Sequence, residues 1–408
     1  MKKLQHIIMI ALILLGLVTP ALAQEQTDNF NVSAKHAIAI EATTGKVLYE
    51  KDATTPDGVA SMTKILTAYM VYKAVDQGKI TWDTEVDISD YPFNLTVDSE
   101  VSNVPLDSRK YTVKQLLDAT LISSANSAAI ALAEKISGSE SAFVDTMTAQ
   151  LKEWGITDAK LFNASGLNNK YLGDNRYPGS KADDENTMSA LDVAIIADHL
   201  IKDYPQVLEI TKQTETDFEG NNKLTTHNYM LEGQDNYREG VDGLKTGTTE
   251  LAGASFVAHA NENGMSLITV VMNADNGGED EAARFTATNE LLDYVTQNWK
   301  IKTLNTKGQI VKKNDIKVAD GDSQTISAKL ESDLTVVQKI NSKNDAVKIK
   351  AKTITAPIKK DDTIGTATFD DKDLVGTGYI SDPPQISVTA NQSIKKSFFL
   401  KVWWNHIV

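Results

Sequence analysis

Apolar positions along the chain fall into two regimes, one before and one after residue 300. The segment HAIAIEATTGKVLYEKD, from His36 to Asp52, alternates with period two on either side of Thr44-Gly45 and predicts a β-hairpin. Val59 to Gln77 carries a helical pattern closed by Gly78, Val113 to Ile136 holds two helical stretches, and Glu140 to Trp154 is a further helix stopped by Gly155. Ser189 with Asp192 three residues on has the form of a capping box that opens a helix running to Lys202. Phe256 to Ala260 and Ser266 to Asn273 alternate across Glu262-Asn263-Gly264, a second hairpin, and Glu281 to Trp299 reads as an amphipathic helix. Strands at both ends with helices between predict one antiparallel sheet assembled from distant segments, an α/β (α+β) domain over residues 24–300. Beyond Lys300 the helical period disappears. Short Thr, Val and Ile runs such as TVVQKI, AVKIKAKTITAPI and TIGTATF, punctuated by Gly and Asp, predict a small β-sandwich over 301–390.

The two ends follow other patterns. Lys2 and Lys3, an apolar run from Ile7 to Val18, and Ala21 and Ala23 around Leu22 form the three parts of a secretory signal over residues 1–23, cleaved after Ala23. An uncleaved anchor is the competing reading, and the run is short of the roughly 18 residues a spanning helix needs. At the other end, residues 391–408 gather Phe398, Phe399, Trp403 and Trp404 among Lys395, Lys396 and Lys401. Aromatic and Lys side chains favour the membrane interface, so this segment is read as an amphipathic helix lying on the outer face of the cytoplasmic membrane. Its apolar face is wide enough that packing against its own protein is the alternative.

Composition narrows the chemistry. The 408 residues include no cysteine, which removes thiol nucleophiles, thiolate metal sites and iron-sulfur clusters. A net charge of -14 argues against a nucleic-acid partner. His36, His199, His227, His259 and His406 never fall at i, i+4 spacing, so neither a metal nor another cofactor is expected. Hydroxyls, amines, amides and carboxylates must do the work.

Three short segments could do it. Ser61-Met62-Thr63-Lys64 begins a helix, and residues three apart on a helix share a face, so the Lys64 amine can reach the Ser61 hydroxyl. The helix start adds free backbone N–H groups and partial positive charge, although a serine there is commonly only a cap. Ser124-Ala125-Asn126 interrupts the apolar stretch LLDATLISSANSAAIALAE, as a site or as the cap of the next helix. Lys245-Thr246-Gly247-Thr248 reads as a strand whose glycine lets a ligand backbone approach, or as a turn with an exposed lysine.

Taken in order, the three match the Ser-x-x-Lys, Ser-x-Asn and Lys-Thr-Gly set of serine acyl-transfer enzymes. The sequence resembles a low-molecular-mass penicillin-binding protein of the D-alanyl-D-alanine carboxypeptidase type found in Gram-positive cocci, in stretches such as SSANSAAIALAE, DGLKTGTT and FFLKVWWN. That resemblance implies a penicillin-binding catalytic domain with an antiparallel sheet and a helical subdomain, followed by the β-rich domain and the membrane-associating helix. It implies that Ser61 attacks the carbonyl between the two terminal D-alanines of a peptidoglycan stem peptide while Lys64, as a neutral amine, takes its proton. Ser124 would relay a proton to the leaving amine and Asn126 would hold the acyl-side amide. Lys245, with Thr246, Gly247 and Thr248, would bind the terminal carboxylate, and the backbone N–H groups of Ser61 and Thr248 would form the oxyanion hole. β-Lactams would acylate Ser61. The middle motif residue is Ala125 where related enzymes carry Asp or Gly. A class A β-lactamase shares the motifs and the export signal, but the added β-rich domain and the membrane-seeking tail fit a wall enzyme better than a freely diffusing hydrolase. A sensor that acylates and stops is the rival from another class. Asn94-Leu95-Thr96 and Asn163-Ala164-Ser165 match a glycosylation sequon and are taken as incidental.

Overall fold

A hairpin of β1 (Ala34–Glu41) and β2 (Lys46–Lys51) opens the fold, and its sheet is completed only two hundred residues later. The computed structural model describes residues 29–97, 100–311, 315–351 and 353–398. The expected signal over 1–23 and the aromatic segment 399–408 lie outside the described residues. Strands β3 (Val241–Thr249), β4 (Gly253–Glu262) and β5 (Met265–Ala274) join β1 and β2 in one antiparallel sheet of order β2-β1-β5-β4-β3. Ile38 stands opposite Val270, Val270 opposite Val257, and Val257 opposite Lys245, which carries the third motif to the sheet edge.

Both faces of the sheet are covered. Ile38 and Ile40 enter the same apolar cluster as Val193, Ala194 and Ala197 of the helix α5 (Ala190–Asp203). On the opposite face Ala37 and Ala39 are equally buried, and Tyr49 meets Tyr294 of α6 (Ala283–Asn298) edge-on at 5.4 Å. A strand covered on both sides is apolar at nearly every position, which is why the central residues of β1 show no polar face. The capping box expected at Ser189 forms, with Asp192 as its partner.

Between the strands lie α1 (Lys64–Asp76), α2 (Val113–Leu121), α3 (Asn126–Ser137) and α4 (Glu140–Glu153). Helix α1 touches α2, α3, α4 and α5, so it is buried on most sides. Its start differs from the expected Val59. Ala60 takes a left-handed φ of 44°, and residues Ala60–Thr63 form a 3-10 turn that precedes the α-helix. Ser61 therefore sits in the tight turn and Lys64 at the first α-helical position.

The β-rich region begins at Trp299, immediately after α6, rather than at residue 301. Strand β6 (Trp299–Asn305) pairs with Leu334–Lys339. A three-stranded sheet joins Ile316–Ala319 to Thr325–Ile326 antiparallel and to Ile354–Thr355 parallel. A four-stranded sheet joins Ala328–Leu330, Gln385–Ala390, Thr363–Phe369 and Val347–Lys350. Residues 391–398, expected to start an amphipathic helix, are not helical. Ile394 pairs with Ile358, Lys396 pairs with Gly321, and Ile394 is 2% exposed within the core of this domain. A β-bridge satisfies the backbone there and the isoleucine has an apolar pocket, so the chain stays extended.

The two domains are joined through the edge strand β2. Lys46 pairs with Tyr379 in a β-bridge, and Val47 N–H and Ile380 N–H donate to the Gly378 and Gly45 carbonyls. Lys46 Nζ, fully buried, donates to the Val337 carbonyl at 2.8 Å, pairs with Asp371 at 2.6 Å and stands 4.8 Å from the centre of the Trp299 ring.

Candidate active site

All three motifs converge at the edge strand β3. Strand residues alternate between faces, which turns Lys245 and Gly247 toward α1 and Thr246 and Thr248 toward α6. A Cβ on Gly247 would stand 2.7 Å from the Val59 carbonyl and 3.3 Å from Ala60 Cβ. The glycine thus makes room for the turn that carries Ser61, and the protein's own backbone approaches it on that face. Gly166 does the same from the other side, since its Cβ would overlap the Ala60 carbonyl.

Lys64 Nζ lies 2.8 Å from Ser61 Oγ, 2.7 Å from Asn126 Oδ1 and 2.7 Å from the Ser165 carbonyl oxygen. Its side chain is fully buried, and no carboxylate is among these partners. Burial first, and the neighbouring Lys245 cation second, hold its pKa well below the ordinary lysine value. A neutral amine has two N–H donors and one lone pair. Asn126 Oδ1 and the Ser165 carbonyl can only accept, so they take the two hydrogens and leave the lone pair facing the Ser61 hydroxyl. That is the arrangement of a general base and a nucleophile.

Ser124 occupies the turn between α2 and α3 with a left-handed φ of 57°, a conformation that costs a non-glycine residue on the order of 1 kcal/mol or more. Asn126 opens α3 and donates one amide hydrogen to the Ser102 carbonyl at 2.8 Å, which leaves the second amide hydrogen for another acceptor. Neither residue is the helix cap; that position falls to Ala125.

Lys245 is buried, and desolvation together with Arg284 lowers its pKa to about 7. Arg284, on α6, donates to the Gly247 carbonyl at 3.0 Å and to Thr248 Oγ1 at 2.7 Å. Because that contact uses the oxygen as acceptor, the Thr248 hydroxyl proton remains free to donate to an anion. Arg284 thereby adjoins the third motif. Arg238 is engaged by Glu262 at 2.6 Å and Asp293 at 2.7 Å.

A further set of residues escaped sequence reasoning. Asn163, dismissed with its sequon, is fully buried and its Oδ1 accepts from Ser165 N, Ser165 Oγ and Gly166 N. Asn186 clamps the same loop from Thr63 to Asn163, and buried Glu140, its pKa raised by burial to about 7, accepts from Ala164 N and the Tyr91 hydroxyl. Together they fix the carbonyl that Lys64 faces. The pattern Asn-Ala-Ser-Gly, with glycine closing a turn, was the available signal.

The fold and these contacts are those of a serine acyl-transfer enzyme. Residues 22–276 match the D-alanyl-D-alanine carboxypeptidase family, and residues 299–396 match the C-terminal domain of penicillin-binding protein 5. The chain belongs to this carboxypeptidase family, the low-molecular-mass penicillin-binding proteins. It is 30% identical to the D-alanyl-D-alanine carboxypeptidase DacF of Bacillus subtilis over 98% of this chain and 96% of that one. Penicillin-binding protein 3 of Streptococcus pneumoniae, described as a peptidoglycan synthesis regulatory factor, superposes with a TM-score of 0.81 at 51% identity, covering 90% of this chain and 100% of that one. Penicillin-binding protein D2 of Listeria monocytogenes, in its ampicillin-bound form, gives a TM-score of 0.54 at 27% identity over 66% of this chain and 99% of the other.

Proposed function

We propose that this carboxypeptidase works through Ser61, with Lys64 as the base that removes the hydroxyl proton. The observation that carries the reading is the trio of contacts at Lys64 Nζ, which directs a lone pair at Ser61 Oγ. The attacked carbonyl lies between the terminal D-alanines, and the backbone N–H of Ser61, with that of Thr248, receives its developing negative charge. Ser124 passes the proton to the leaving amine. Asn126 uses its second amide hydrogen on the acyl-side carbonyl. Lys245 and the hydroxyls of Thr246 and Thr248 hold the terminal carboxylate. Free D-alanine departs and water releases the acyl-enzyme, which limits the stem peptides open to cross-linking.

A penicillin carries a carboxylate and a strained amide in the same relation, so it would acylate Ser61 and remain. The ampicillin-bound Listeria relative supports this. The signal-like leader and the aromatic, lysine-rich tail support export and attachment to the outer face of the membrane. The test is mass spectrometry with a peptide ending in D-Ala-D-Ala and, separately, with benzylpenicillin. Released D-alanine with turnover and a penicillin adduct on Ser61 support the reading; an adduct on another serine, or a permanent peptide adduct without turnover, overturns it.

A further inference from the structure

On the acyl side of the cleft the roles above use only Asn126, yet the fold builds an open groove of about 690 Å³ near it, within the size range of a small-ligand site. One wall is the short helix Asp90–Leu95 with Val97 and Glu100 after it, and the other is formed by the 3-10 turns around Tyr171 and Leu172. The groove is tied to the second motif by printed contacts on each wall. Leu95 and Leu172 share an apolar cluster with Leu167 and with Ile130 of α3, which lies four residues, about 6 Å, along the helix from Asn126. Asn103 donates from Nδ2 to the Leu95 carbonyl at 2.8 Å and accepts at Oδ1 from Ser127 N–H at 2.8 Å. The Ser102 carbonyl, two residues after Glu100, accepts from both the backbone and the side-chain N–H of Asn126.

The lining suits a long side chain that ends in a cation. Leu95 and Leu172 are buried and Val97 is 80% exposed, so they supply the floor and rim that an aliphatic stem covers. Among the described residues that line the groove, Glu100 alone is charged, and it accepts from the Tyr171 hydroxyl at 3.4 Å. An ammonium already stands against this wall, since Lys170 Nζ lies 4.8 Å from the centre of the Tyr171 ring. Tyr91 anchors the opposite wall: its hydroxyl donates to Glu140 at 2.7 Å, and Glu140 in turn accepts from Ala164 N–H, beside the carbonyl that Lys64 faces.

We propose that this groove receives the residue that precedes the D-Ala-D-Ala pair, and that Glu100 selects a side chain ending in a free amine there. This rests on the carboxypeptidase reading and on Asn126 holding the acyl-side amide. The stem of that side chain lies along Leu95, Leu172 and Val97, and its ammonium meets Glu100 at the rim. Glu100 sets substrate choice and takes no proton in the reaction.

The experiment measures D-alanine release from two N-acetylated peptides that end in X-D-Ala-D-Ala, with X either lysine or Nε-acetyl-lysine. The ratio of their kcat/KM values cancels any change common to both. Wild type should favour the lysine peptide about three- to fivefold at low ionic strength, the size of an exposed ion pair, with the ratio falling as salt rises. Glu100→Gln should bring the ratio to about one and Glu100→Lys should invert it. Val97→Asp, which adds a carboxylate on the exposed rim, should raise it. A wild-type ratio near one, a ratio that survives Glu100→Gln, or one that Val97→Asp leaves unmoved overturns the proposal. Absence of D-alanine release from either peptide with the wild type would instead overturn the carboxypeptidase reading itself.

Discussion

Among the described residues two lysines have no solvent exposure, Lys46 at the domain junction and Lys64 beside Ser61, and their surroundings make them different chemical groups. Burial lowers the pKa of both. At Lys46, Asp371 opposes that shift from 2.6 Å, and the Tyr379 hydroxyl donates to the same carboxylate at 2.7 Å. At Lys64 the partners are a hydroxyl, an amide oxygen and a carbonyl, and the charge that bears on it is another cation, Lys245. Burial alone therefore does not make a base. A buried lysine becomes one where acceptors satisfy its hydrogens and no anion holds its proton.

The contrast breaks most sharply at Lys64. Lys64→Met should slow acylation of Ser61 by penicillin about 10³- to 10⁴-fold while leaving the melting temperature at or above that of wild type, because an uncharged stem replaces an amine that folding desolvates. Stopped-flow acylation beside a thermal melt checks both halves. A large fall in stability would mean that Lys64 is a structural ion like Lys46.

Lys46→Met should do the reverse. It strands the Asp371 carboxylate, whose side chain is 6% exposed, and should cost about 3–5 kcal/mol of stability with the acylation rate of the folded protein unchanged. Adding Asp371→Leu should recover most of that loss, since an apolar pair needs no counter-charge. Urea denaturation of the single and double variants is the measurement, and a double variant as weak as the single would show that the pair is not the source.

Lys245 lies between these extremes, buried beside Arg284 with a pKa near 7 and charged when an anion arrives. The free enzyme's kcat/KM for a free-carboxylate peptide should fall as pH rises through about 7, because deprotonated Lys245 offers the carboxylate no charge. Lys245→Gln should remove that alkaline limb and shrink the preference for the free acid over the amide by about tenfold. Equal losses on both substrates would move recognition to Arg284.

How much of this was legible in the chain depends on how far apart the interacting residues lie. The order of Ser61, Lys64, Ser124, Asn126 and Lys245 was readable because each motif is local, and the hairpins and the Ser189 cap because their periods and turn residues are local too. The clamp on Ser165, the Arg284 contact with Thr248 and the Lys46–Asp371 pair join residues from different elements, and no spacing rule reports them. Gly247 is legible as a place of close approach, and the packed structure adds the Val59 carbonyl on one face of it. The tail misled because its aromatic composition masked Ile394, a core residue of the β-rich domain.

That correction carries a prediction of its own. Truncation after Ser397 should leave the fold intact and, with the aromatic segment gone, release the protein from membranes. Truncation after Asn391 also removes Ile394 and should cost a further ~2–4 kcal/mol in the β-rich domain, with peptide hydrolysis by the catalytic domain unchanged. Melting curves and membrane fractionation of the two truncations separate anchor from core; equal stability would return Ile394 to the tail.

The most direct test of the central claim is to give Lys64 the anion it lacks. Asn126→Asp places a carboxylate oxygen where Oδ1 now stands, 2.7 Å from Lys64 Nζ. The pH dependence of Ser61 acylation should then show its acid limb displaced upward by about one pH unit or more, whatever the absolute rate, because an adjacent carboxylate favours the charged amine. An acid limb that stays where the wild type has it would contradict the account, since the group titrating there would not be Lys64.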